Sequence, residues 1–242
     1  MTGSPARPVA LVTGAARRVG QALAVALARH GYDLAVHHHG TDARETLSQC
    51  RAAGVRADAF REDLTDPDAP ARLVQNVVAA FGRLDVVVNS AAVMLRTPMG
   101  EISPDQWDQV FALNLRAPFF VAQEAARHLP DGGCIINIAD LAAFETWPGY
   151  LPHGASKSAL VYLTRALARV LAPRVRVNAV APGTVLLPEG WDPAAQQRLL
   201  ETTPLQRWGS PDDVAQAVLY LLDAGYVTGE TLIVDGGRHV RR

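Results

Sequence analysis

From residue 13 to residue 20 the chain reads Thr-Gly-Ala-Ala-Arg-Arg-Val-Gly. A short apolar run, Val9-Ala10-Leu11-Val12, precedes it, and apolar positions at helical spacing follow it: Val19, Ala22, Leu23, Ala26 and Leu27. Gly14 permits a tight strand-to-helix turn, and Gly20 permits close packing of the helix on its strand. The first turn of such a helix offers free N–H groups and a partial positive charge, which suit a pyrophosphate. A plain turn is the alternative; the strand before and the amphipathic helix after favour the phosphate site. Dinucleotide sites that select NAD carry a carboxylate near the end of the second strand, where it meets the ribose 2′-hydroxyl. Here that strand ends in His37-His38-His39, with no acid before Asp42. Arg17 and Arg18 lie in the adjacent turn, so an acid-free, cationic pocket for the 2′-phosphate of NADPH or NADP+ is expected. Three consecutive histidines also raise a metal site. Neighbouring strand residues point to opposite faces, so at most two imidazoles could converge, and no metal is expected. Further along, Lys157 is the single lysine among 23 basic residues. Its compact ammonium does not exchange with a planar guanidinium without loss. His153 precedes it by four residues, which on a helix puts both side chains on one face, one turn apart. An imidazole there can exchange a proton at neutral pH.

The elements that must position these groups alternate along the whole chain. Strands are predicted at Val9–Thr13, Leu34–His37, Val55–Phe60, Leu84–Asn89, Cys134–Ile138, Val175–Val180 and Thr231–Val234. Helices are predicted at Val19–His30, Arg44–Ala52, Pro70–Phe81, Pro104–Leu113, Ala117–Leu129, Pro152–Leu171 and Pro211–Leu222. The Leu84–Asn89 run is apolar without alternation, as a parallel strand covered on both faces must be. Right-handed crossovers then favour one doubly wound parallel sheet of about seven strands, an α/β fold of the Rossmann type. Residues 1–242 read as one domain, with a substrate loop and a small helix over about 184–203.

Composition excludes several classes. The formal net charge is −1 and no acidic or basic block occurs, so neither nucleic acid nor a membrane surface is expected as a partner. The longest apolar runs fall well short of the ~20 residues of a membrane span, and no secretory leader is recognised. Cys50 and Cys134 lie far apart and match no metal spacing, which suggests a reduced, cytoplasmic protein. At 49% hydrophobic residues a chain of this length can bury a large core.

Taken in order, Thr13–Gly20, Asp63-Leu64, Asn89-Ser90-Ala91-Ala92, Asn114, Ser156-Lys157, Pro182-Gly183 and Val234-Asp235-Gly236-Gly237 resemble the short-chain dehydrogenase/reductase family over essentially the whole chain. The resemblance implies a homo-oligomer, a tetramer or a dimer, that acts on a small molecule. It implies that Asp63, followed by Leu64, meets the adenine, that Asn89 with Ser90 and Ala91 braces the cofactor strand, and that Pro182, Gly183 and Thr184 lie beside the nicotinamide. Lys157 would hold the ribose, and Asn114 would bend a helix and steady a relay water. Arginine in place of the middle glycine of the turn, His-x-His after the second strand, and Asp140 where most members have serine resemble the pteridine reductases, which reduce pterins with NADPH. The family carries tyrosine at the position of His153. An Asp140–His153 pair could restore a general acid there: the Asp140 charge favours the imidazolium and the Lys157 charge opposes it. Tyr150 precedes the helix that carries the pair and is not expected to stand in. Met94 stands where pteridine reductases offer an aromatic ring. Trp147, Leu186, Leu187 and Trp191 flank the expected cleft and are candidates for its substrate wall. The expected activity is therefore NADPH-dependent reduction of a C=O or C=N bond. The rival is a catalytically silent NADP(H)-binding protein of the same fold, with His153 then only a helix-surface residue and Asp140 only a turn cap.

Overall fold

A computed structural model describes residues 7–186 and 192–240. Seven strands run β1 Val9–Val12, β2 Asp33–His38, β3 Ala57–Arg61, β4 Val86–Asn89, β5 Gly133–Ile138, β6 Val175–Pro182 and β7 Thr231–Val234. All neighbours pair in parallel, in the order β3-β2-β1-β4-β5-β6-β7. The order reverses between β1 and β4, and in such sheets ligands bind in the crevice beyond the carboxyl ends of the strands at this point.

The helices are α1 Arg18–Arg29, α2 Arg44–Ala52, α3 Ala69–Phe81, α4 Pro104–Phe111, α5 Ala117–Ala125, α6 Leu151–Leu171, α7 Pro193–Glu201 and α8 Pro211–Asp223. Alternate strand residues feed two cores. Val12, Val36, Val88 and Ile136 pack with Leu23 and Leu27 of α1 and with Val214, Val218 and Leu221 of α8. Leu11, Val87, Ile135 and Val177 pack on the other face with Leu73, Val77, Val121 and Leu167 from α3, α5 and α6. Each such side chain contributes about 1.5–3 kcal/mol by leaving water. The middle strands are therefore apolar on both faces over most of their length, which is why the fold was readable.

Two expectations need correction. The third strand begins at Ala57 rather than Val55, and continues to Arg61, because its pairing with β2 runs from Leu34↔Ala57 to His38↔Arg61. The two helices expected from Pro104 and from Ala117 join through a π-helical turn at Ala112–Arg116, and the second ends at Ala125. Pro118 has no N–H for the carbonyl one turn back, that of Asn114, and a widened turn accommodates its ring. Among the described residues no helix is long and apolar enough to cross a membrane.

Candidate functional site

The β1–α1 turn has no room for larger residues. Gly14 has φ +66°, and a Cβ there would lie 2.8 Å from Ala91 Cα; a Cβ on Gly20 would lie 2.2 Å from the Gly14 carbonyl oxygen. Thr13 Oγ1 accepts the N–H groups of Ser90 (2.9 Å) and Ala91 (3.0 Å), tying this turn to the end of β4. The first turn of α1 has no acidic residue and no capping side chain, so its N–H groups remain available to an anion. Arg17 and Arg18 are both exposed. Arg18 has φ +55°, a left-handed conformation that costs a residue with a Cβ roughly 1–2 kcal/mol.

The three histidines separate. His37 is buried; its Nδ1 accepts the Gly14 N–H at 3.0 Å and its Nε2 donates to the Glu62 carbonyl at 3.1 Å. Burial pushes its imidazole down to about 4, against the Glu62 hydrogen bond. His37 is thus a neutral brace of the turn, and its expected place among the residues that meet the cofactor is corrected: both its nitrogens are occupied by backbone groups. His38 Nδ1 donates to the Thr41 carbonyl at 2.9 Å. His39 is exposed, with Nδ1 3.8 Å from Asp63 Oδ1. Asp63 also accepts the Thr65 N–H and O–H, which hold its carboxyl below the usual range. The Leu64 side chain enters the core instead of the site. Asn89 donates to Asn137 Oδ1 at 2.9 Å, and Asn137 donates to Thr164 Oγ1 at 2.9 Å, a buried polar chain linking β4, β5 and α6. Sequence reading missed Asn137 and Thr164, although an asparagine inside an apolar strand is a signal.

Beyond the ends of β4 and β5 a second cluster gathers on α6. Asn114, in the π turn, accepts the Val93 N–H and donates to the Val93 carbonyl, both at 2.9 Å, and donates to Ser156 Oγ at 3.2 Å. His153 is buried, and its Nδ1 lies 3.3 Å from the Val93 carbonyl. Asn114 Nδ2 also lies 3.4 Å from Nδ1, but its two protons have nearer acceptors in the Val93 carbonyl and Ser156 Oγ. A carbonyl only accepts, so the tautomer that satisfies all of these contacts carries its proton on Nδ1. His153 Nε2 is buried without a hydrogen-bond partner, 3.6 Å from Asp140 Oδ2. Asp140 Oδ1 meanwhile accepts the Ala142 N–H at 2.8 Å, which caps a 3-10 turn at Leu141–Ala143 and fixes the carboxylate toward the ring. Both readings of Asp140, turn cap and histidine partner, therefore describe the same side chain. Lys157 Nζ donates to the Ile138 carbonyl at 2.7 Å. Complete burial pushes its ammonium down to about 8, partly offset by Asp140.

A cavity of about 590 Å³ joins the two regions. Asp140, His153 and Lys157 line it together with Arg18, Val19, Ser90 and Pro182–Thr184. Met94, Trp147 and Leu186 form walls, whereas Leu187 and Trp191 lie outside the described residues. Gly14, Arg17, Gly20, the three histidines, Asp63, Leu64, Asn89, Ala91 and Asn114 are not in that lining. Tyr150 precedes α6 as expected but does line the cavity, as do Leu199 and Arg238, which sequence reading did not single out. Among the described residues no group of three His, Cys, Asp or Glu side chains is placed to hold a metal ion.

Known proteins resemble this chain over nearly its whole length. Residues 14–239 match the family described as Enoyl-(Acyl carrier protein) reductase. The 3-oxoacyl-(acyl-carrier-protein) reductase FabG of Staphylococcus aureus is 33% identical, over 96% of this chain and 98% of its own. A short-chain dehydrogenase/reductase from Serratia marcescens superposes with a TM-score of 0.92 at 35% identity, covering 98% of this chain and 100% of that one. A blue fluorescent protein from a metagenomic library, solved in complex with NADPH, gives 0.89 at 35% identity, covering 96% and 97%. With a family match over residues 14–239 and relatives at 33% and 35% identity aligned across nearly the full length, the chain belongs to the short-chain dehydrogenase/reductase family of oxidoreductases.

Proposed function

We propose that this protein is an NADPH-dependent reductase that adds a hydride and a proton to a C=O or C=N bond of a small molecule, a pterin among the candidates. The observation that carries this reading is the His153 ring. Its Nδ1 proton is committed to Val93, and Nε2 is buried, unpartnered and opposite Asp140 in the cavity that Lys157 also lines. The dinucleotide, when bound, supplies the hydride from its nicotinamide. A second proton on His153 resides at Nε2, stabilised by the Asp140 carboxylate, and passes from there to the substrate oxygen or nitrogen. Lys157, still largely cationic at neutral pH, holds the nicotinamide ribose, and Asn114 fixes the Val93 carbonyl that orients the ring. Pro182, Gly183 and Thr184 form the nicotinamide wall; Asn89, Ser90 and Ala91 position the cofactor strand, and Asp63 meets the adenine.

The 2′-phosphate falls to Arg17, Arg18, His38 and His39. NADPH should therefore bind about ten-fold tighter than NADH, the effect of one charge-assisted contact of ~1.5 kcal/mol. Arg18→Gly should narrow that ratio without lowering thermal stability, because glycine accepts φ +55° freely. Direct titration of both cofactors tests this, and equal affinities would contradict it.

Two free, buried thiols, Cys50 and Cys134, fit a reducing cytoplasm. The apolar groove of Phe111, Phe119, Phe120 and Tyr162 between α4, α5 and α6 fits a homo-oligomer, which sedimentation would register as more than one 25.9 kDa chain. The reaction itself is tested by NADPH oxidation at 340 nm against pterins, quinones and simple carbonyls. Turnover of at least one class is expected; tight NADPH binding with no oxidation by any class would favour the silent binder.

A further inference from the structure

Arg238 is a cation that neither the dinucleotide nor the proton transfer uses. It follows Gly236 and Gly237, whose φ values of +67° and +86° turn the chain sharply after β7. Asp235 locks that turn: it accepts the Gly237 N–H at 2.9 Å and the His239 N–H at 2.6 Å, one on each side of Arg238. The guanidinium is thereby delivered to the cavity that holds His153 and Lys157. Its Nη2 donates to Glu145 Oε2 at 2.9 Å, and the same Glu145 oxygen accepts the Trp147 indole N–H at 3.0 Å. The guanidinium carbon sits 5.8 Å from the Trp147 ring centroid. The Nε proton is buried with no acceptor, which leaves part of the guanidinium's hydrogen-bonding capacity unmet.

The charges around the cavity are unequal. Arg18, Lys157 and Arg238 line it against Asp140 alone; Glu145 lies behind Arg238, outside the lining. On the functional reading above, Arg18 and Lys157 serve the cofactor and Asp140 serves His153. Arg238 remains as the cation presented to the substrate. Its planar fork, held at one end by Glu145 and on its face by Trp147, is already ordered, so little side-chain entropy is lost when it binds an oxygen pair.

From this we propose that Arg238 is a specificity-determining residue that takes a carboxylate on the substrate, so that the preferred substrates are carbonyl or imine compounds bearing an acid group. The inference rests on the cavity being the substrate cleft. It does not rest on turnover, so the test reads binding and stands even if the protein proves inert.

The probes are phenylglyoxylate and its methyl ester, added to the protein saturated with NADP+. Trp147 emission, isolated by difference from Trp147→Phe, reports occupancy, with calorimetry as a check. The acid is expected to bind at least ten-fold tighter than the ester, and added salt should weaken the acid alone. Arg238→Met should abolish that preference while leaving ester affinity and the NADPH dissociation constant unchanged. Arg238→Lys should keep part of the preference, as a point charge without the fork. The acid and the ester binding alike in the parent protein, or neither binding, would overturn the proposal without recourse to a variant. Equal weakening of both probes in Arg238→Met would overturn it too, and would assign the Glu145 pair to tying down the C-terminal turn.

Discussion

His153→Ala should lower kcat by about 10²–10⁴-fold, the range contributed by a positioned general acid, and leave the NADPH dissociation constant close to the parent value. The separation follows from geometry. The imidazole touches Val93, Asn114 and Asp140, while the phosphate turn is built at the end of β1 by Thr13, Gly14, Gly20 and His37, none of which lines the cavity with it. Alanine leaves a cavity at a residue only 3% exposed, and that alone costs stability. His153→Gln provides the control, since it fills most of the space and keeps a donor for the Val93 carbonyl but cannot act as an acid. Both variants should be inactive with intact cofactor binding. If either reduced substrates as fast as the parent, the proton would have to come from another group, and Tyr150, which lines the same cavity, would be the next to test.

The second large effect is expected at Gly20. A Cβ there would lie 2.2 Å from the Gly14 carbonyl oxygen and 3.1 Å from Ala15 Cα. Both are backbone atoms, so no rotamer change relieves the contact, and α1 must move away from the turn. Overpacking of this kind costs about 1–3 kcal/mol or more, which in a domain this size lowers Tm by roughly 2–12 °C. The displaced helix N-terminus would also lose its aim at the pyrophosphate. Gly20→Ala should therefore weaken NADPH more than ten-fold, measured by titration at a temperature where the variant remains folded. Unchanged Tm and affinity would show that the turn does not have the tight form described.

How much of this was legible depended on how local each cause is. The sheet was readable because parallel strands such as Val86–Asn89 are buried on both faces and carry no alternation. Gly14 and Gly20 were readable because only glycine meets the steric demand at their spacing. The separate fates of His37, His38 and His39 were not. Strand alternation showed that they could not converge, but nothing local indicated that His37 would accept the Gly14 N–H while its other nitrogen reached the β3–α3 loop. The Asp140–His153 approach spans thirteen residues and was inferred from family resemblance; the distance itself depends on how β5 and α6 pack. Arg238 was missed because its importance comes from a turn set by Asp235 and two glycines, which places a residue near the C-terminus against Glu145 and Trp147. Long-range placement of that kind has no periodicity to read.

The most direct test of the central claim, that His153 delivers the proton, is kcat as a function of pH in the parent and in His153→Gln, with whichever substrate class proves active. Both proteins should lose rate as pH rises through about 8, where Lys157, its ammonium pushed down by burial, gives up the charge that holds the ribose. At every pH the glutamine variant should lie about 10²–10⁴-fold below the parent, because the amide keeps the Val93 contact but has no proton to give. Profiles of the parent and His153→Gln that coincide in height would contradict the assignment of His153 as the acid.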